Sequence, residues 1–195
     1  MKLTAKGAVM SDEMVIEYCS PTLAGIKTGN LFSCEYKNKR KMLKEIRRVN
    51  GILVKKGIRV LPVRYSDHRV LVYVFRPSFL EKDFCDKDTA GLLSQLGYEV
   101  NDVTSCVRCL SKKLINLSSS KDFPHEIGLF LGYPIDDVKG FMKYKGECSK
   151  CTGLWKVYGD VERAKITFDR YDKCTKDYIT RFRNGTTLDS LAVSA

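Results

Sequence analysis

Val70-Leu71-Val72-Tyr73-Val74-Phe75 is the longest uninterrupted apolar run in the chain. It is far too short to cross a bilayer, and its β-branched and aromatic content predicts a strand. Both faces of that strand are apolar, so both must be covered, which predicts a central position in a sheet. Arg59 to Arg64 has the same character, and Tyr65-Ser66-Asp67-His68 joins the two as a hairpin. Pro62 cannot donate to a ladder, so the first strand lies at an edge or is broken there.

Helix-period segments surround this hairpin. Met14, Val15 and Tyr18 predict a short helix from Asp12 to Cys19, stopped by Pro21. The breaker-rich stretch from Ser20 to Asn30 predicts a loop. Met42, Ile46, Val49 and Leu53 form the buried stripe of a helix from about Lys39 to Lys56, closed by Gly57. Helical spacing recurs over Phe79–Phe84, Thr89–Leu96 and Val103–Leu117, before a linker at 118–122. Pro124 opens a further helix through Leu131, and Asp136 and Asp137 sit in the first turn of another. Leu154–Tyr158 alternates as a strand should. Asp160 caps a long helix to about Arg183, and Thr186 with Asp189 predicts a capping box for a last turn. The expected fold is α+β, with many helices packed on a small, mainly antiparallel sheet of three or four strands. At 195 residues the chain is expected to form a single globular domain, residues 1–195.

Charge narrows the partners. The chain carries 34 Lys and Arg against 23 Asp and Glu, a net charge of +11. The excess is concentrated between Lys37 and Lys56, where a basic helix can neutralise phosphates or simply keep the protein soluble. No nucleic-acid motif accompanies it. The first ten residues carry no apolar signal-peptide region and no run can span a membrane, so a cytoplasmic protein without membrane contact is expected.

Eight cysteines stand at 19, 34, 85, 106, 109, 148, 151 and 174. In a reducing compartment they are inert core thiols, metal ligands or redox groups. Two Cys-x-x-Cys pairs, Cys106/Cys109 and Cys148/Cys151, have the spacing of iron or zinc ligands, although 110–147 is long for a zinc ribbon. The first pair falls in phase with a helix core. Cys148 and Cys151 flank a tight turn where Lys150 favours a thiolate, so they are the expected metal or redox pair.

Of the two histidines, His68 lies in the hairpin turn. His125 sits at a helix start, where the positive dipole end favours neutral imidazole; beside Glu126 it suits a general base or metal ligand. Cys19 with His125 is an expected nucleophile–base pair of a hydrolase or transferase, with Cys34 an alternative nucleophile. Thr22, Lys27, Thr28 and Asn30 offer hydroxyl, ammonium and amide groups for a small polar or anionic ligand, on a loop that lacks the phosphate-loop spacing.

Four stretches resemble the motifs of an uncharacterised bacterial family, a domain of unknown function met mainly in anaerobic Gram-positive bacteria. They are residues 19–32 (CSPTLAGIKTGNLF), 123–134 (FPHEIGLFLGYP), 137–141 (DVKGF) and 155–160 (WKVYGD). The resemblance runs from about Glu13 to Leu191. It brings no activity with it and implies a link to iron or redox handling. The expectation is therefore a small-ligand or metal-binding protein linked to redox or iron handling. Its site would lie between the 21–30 loop and the 123–128 helix start, with catalytic His125, Glu126 and Cys19 as the enzymatic alternative and polyanion binding through Lys37–Lys56 as the other.

Overall fold

The computed structural model describes residues 10–117 and 123–194. The linker expected at 118–122 and the start of the chain lie outside the described residues. The fold is α+β: among the described residues, helices α1 to α9 accompany a three-stranded antiparallel sheet and a two-stranded one. The chain divides into two compact units, Met1–Ser78 with Cys174–Ala195, and Phe79–Lys173.

In the first unit, β1 (Gly29–Glu35), β2 (Arg59–Ser66) and β3 (Arg69–Phe75) pair in the order β1-β3-β2. The doubly apolar run is the central strand, as its composition requires. Pro62 sits on an edge strand, and the β2–β3 register shifts between Pro62 and Arg64. Val70, Val72 and Val74 face the helices, meeting Met42, Ile46, Val49 and Leu53 of α2 (Lys39–Leu53) and Val15, Ile16 and Cys19 of α1 (Asp12–Leu23) in one core. On the opposite face Tyr73 and Phe75 stack at 4.4 Å, and both are buried. Gly57 closes the turn after α2 at φ +73°, a left-handed conformation that glycine adopts without steric cost.

Two expectations on either side of the 24–28 segment fail for identifiable reasons. Helix α1 does not stop at Pro21 but continues to Leu23. The proline lies in the last turn, where its missing N–H removes one bond, while the Ser20 hydroxyl donates to the Ile16 carbonyl at 2.5 Å and Ile26 N–H donates to the Pro21 carbonyl. The stretch after Gly29, expected to stay a loop as far as Asn30, is strand β1, buried at Phe32 and Cys34 through its pairing with β3.

The second unit contains α4 (Lys87–Gln95), α5 (Val103–Ile115), α6 (Ile127–Phe130), α7 (Ile135–Tyr144), and the short pair β4 (Cys151–Thr152) and β5 (Lys156–Val157). Helices α3 (Pro77–Phe84) and α8 (Val161–Arg183) cross the unit boundaries. Phe130 anchors the core edge-on to Phe84 at 5.1 Å and beside Tyr98 at 5.4 Å. The strand expected over Leu154–Tyr158 is reduced to β5, because β4 offers it only two residues of partner. Asp160 caps α8 as expected, accepting from Arg163 N–H at 3.0 Å. The last turn, α9 (Leu188–Leu191), is capped by Thr187 rather than Thr186, with Ser190 N–H donating to its hydroxyl. No helix among the described residues is long and apolar enough to cross a membrane.

Candidate functional site

The sequence-derived residues fall into two groups, one in each unit. Thr22, Lys27, Thr28, Asn30 and Cys19 belong to the first. Thr22 lies on α1 and Asn30 on β1, and the Thr22 hydroxyl donates to Asn30 Oδ1 at 2.8 Å, closing the segment between them. Arg76, a residue the sequence reading passed over, fixes both ends of that segment. Its buried guanidinium donates to the carbonyls of Thr22 at 2.8 Å, Leu23 at 2.9 Å and Val193 at 2.7 Å, while its backbone N–H donates to Thr28 O at 2.9 Å. No short-range pattern marks such a residue, because its acceptors come from distant parts of the chain.

Lys27 is buried, 6% exposed, and its ammonium donates to the Gly29 carbonyl at 2.5 Å. Loss of hydration pushes its pKa down to about 7, and nearby Cys19 opposes this only in part. The same loss of hydration pushes the Cys19 thiol far up, and Lys27 offsets little of it. Cys19 is therefore a neutral core thiol packed in α1, and Cys34 is likewise pushed up to about 11. Nucleophilic cysteines need thiolate character, which neither environment supplies.

His125 and Glu126 belong to the second unit and line the same pocket, of about 420 Å³. Lys113 and Asn116 from the end of α5 complete its polar lining, and Leu117, Phe123, Pro124 and Met142 supply apolar walls. Glu126 is the buried element: its Oε1 accepts from Tyr98 Oη and from Lys113 Nζ, each at 2.9 Å. Lys113 also donates to Leu96 O and lies 4.2 Å from the centre of the Tyr98 ring. Burial and the Glu126 carboxylate both raise the Tyr98 pKa, so the phenol stays protonated and donates. The His125 ring packs against Phe141 at 4.8 Å and Phe123 at 6.1 Å. The sequence pointed to His125 and Glu126; Tyr98 and Lys113 have no motif and join them only through tertiary packing.

The four thiols of the paired motifs do not assemble. Cys106 is buried on α5 and Cys109 half-buried; Cys148 is exposed and Cys151 half-buried at β4. Among the described residues no group of three or more His, Cys, Asp or Glu is placed to hold a metal ion. Lys150, expected to favour a thiolate, directs its ammonium to the Gly159 carbonyl at 2.8 Å.

A second cleft in this unit, of about 280 Å³, lies where α7 and α8 begin. The buried Asp137 ties its wall together: Oδ1 accepts from the backbone of Tyr158 at 2.7 Å and Gly159 at 2.8 Å, and Oδ2 accepts from Trp155 Nε1 at 2.7 Å. Gly140 admits the Tyr158 ring so closely that a Cβ there would sit 2.3 Å from it. At the sequence level Asp137 reads as an ordinary first-turn carboxylate; its role depends on residues some twenty positions away.

A model of a family described as a protein of unknown function, DUF3793, matches residues 15–192. No curated protein and no solved structure matches the chain.

Proposed function

The chain belongs to the DUF3793 family, and we propose that this member binds a small polar organic molecule in the pocket at His125 and Glu126. The observation that carries the reading is the asymmetric use of Glu126. Both of its donors, Tyr98 and Lys113, converge on Oε1, which fixes the carboxylate inside a cavity whose other walls are largely apolar. An apolar cavity with a few convergent, pre-positioned polar groups is the usual form of a small-molecule site. The ligand's polar end meets the imidazole, the carboxylate and the Asn116 amide, and its apolar part lies against Phe123, Pro124 and Met142. The donor set supports an organic ligand over a metal ion, since the one carboxylate is already shared with Lys113 and no third metal-binding side chain joins it among the described residues.

Thermal unfolding against small carboxylic acids, amides, amines and nucleosides tests this, with His125→Ala and Glu126→Gln run in parallel. At least one compound should raise the wild-type Tm, with the increase lost in both variants. No stabilising compound, or stabilisation that survives both substitutions, overturns it.

A second reading, polyanion contact through residues 37–56, is favoured by one feature of α2. Arg40, Lys41, Lys44 and Arg47 are exposed without an ion pair among the described residues, whereas Arg48 is held by Asp12 at 2.5 Å and Glu45 at 2.8 Å. Affinity for duplex DNA should then fall steeply as salt rises to physiological levels. An absence of binding at low salt removes this reading.

A further inference from the structure

We propose that the cleft at the starts of α7 and α8 is a separate ligand site, and that it takes a small zwitterion of the α-amino-acid type. The argument rests on which charges in the cleft are engaged and which are not. Arg163 and Arg170 lie seven residues apart on one face of α8, about 10 Å along its axis. Neither forms an ion pair among the described residues, and both are exposed at the cleft. The carboxylates are not equivalent. Asp137 has both oxygens occupied by the Trp155, Tyr158 and Gly159 N–H groups. Asp160 caps α8. Asp136 is exposed and forms no ion pair among the described residues.

The side chains with no hydrogen-bond or ion-pair partner among the described residues are thus two guanidiniums and the Asp136 carboxylate, all lining one concavity. A simple polyanion would match the arginines but would meet three aspartates in the same space. A molecule carrying one carboxylate and one ammonium satisfies both signs, the carboxylate with Arg163 and Arg170 and the ammonium with Asp136. Size agrees: the cavity falls below the range of about 300–1,000 Å³ typical of drug-sized ligands.

The wall is also rigid before anything binds. Trp155 stacks on Tyr133 at 4.6 Å, meets Phe168 edge-on at 4.5 Å and is hydrogen-bonded to Asp137. Gly159 lets the backbone approach α7, since a Cβ there would lie 3.2 Å from that of Asp136. The wall itself therefore loses little conformational freedom on binding.

Trp155 is the only tryptophan, so its emission reports on this wall alone. Titration of the full chain with glycine, L-alanine and L-glutamate, and separately with acetate, methylamine and inorganic phosphate, tests the proposal, with calorimetry reading binding if the indole is silent. At least one amino acid should bind saturably, and the three single-function probes should bind at least about tenfold more weakly, the loss expected when one charge-assisted contact is missing. Arg163→Gln, Arg170→Gln and Asp136→Asn, all at exposed positions, should each weaken amino-acid binding by a similar factor with an unchanged far-UV spectrum. Phosphate binding tighter than any amino acid, no saturable binding of the amino acids, or binding that survives both arginine substitutions overturns the proposal.

Discussion

Replacing Lys27 by methionine should make the protein more stable at low pH and not at high pH. The lysine is 6% exposed, and loss of hydration moves its pKa from the ordinary 10.5 to about 7. Below that folded value both the folded and the unfolded chain hold the proton, and the folded state bears the full cost of a buried ammonium. Between about 7 and 10.5 the unfolded chain still holds a proton that the folded chain has released, so stability rises with pH. Above the unfolded value both forms are neutral and the cost is gone. The drop corresponds to at most about 5 kcal/mol. Methionine removes the titration but also the bond to the Gly29 carbonyl, worth about 1 kcal/mol. The variant should therefore exceed the wild type by up to about 4 kcal/mol near pH 6 and fall slightly below it near pH 10. Urea unfolding followed by far-UV circular dichroism, with both proteins measured at each pH, isolates the effect because every other titrating group is common to the pair. A stability difference independent of pH, or one growing as pH rises, would refute the argument.

Asp137→Ala leaves three N–H groups of the cleft wall without their acceptor, and should cost about 3–5 kcal/mol in urea unfolding read by Trp155 emission; a cost under about 1 kcal/mol would contradict the network. Arg76→Ala strips donors from four carbonyls, two of them buried, and should destabilise the first unit by about 3 kcal/mol or more, measured by hydrogen exchange of the β3 amides. Thiol alkylation at neutral pH, mapped by mass spectrometry, should reach the exposed Cys85 and Cys148 first, and the buried Cys19 and Cys106 only on unfolding. Rapid labelling of Cys19 would contradict its placement in the core.

What was legible in the sequence is what short-range rules decide. The doubly apolar Val70–Phe75 must be central, Pro62 must be at an edge, and Gly57 and Asp160 end and begin helices through their own backbone and side-chain chemistry. His125 and Glu126 were legible as chemistry-bearing neighbours, and the structure sets both on one cavity. The rest depends on contacts between residues far apart. Pro21 was overruled because the end of a helix tolerates a missing donor, and β1 exists because β3 offers it a ladder. Lys27 reads in sequence as a ligand group on a loop, and its burial comes from the packing around it. Arg76, Asp137, Tyr98 and Lys113 carry no pattern of their own; each acquires its role from a distant partner.

Ring-proton resonances offer the most direct view of the pocket, because the chain has only two histidines, His68 in the β2–β3 turn and His125 in the cavity wall. The same panel of carboxylic acids, amides, amines and nucleosides, titrated into the full chain and followed by histidine NMR, should move the His125 ring signals saturably with at least one compound while the His68 signals stay fixed. If the His125 signals never move, or both histidines shift together with every compound, no ligand is bound at His125 and Glu126.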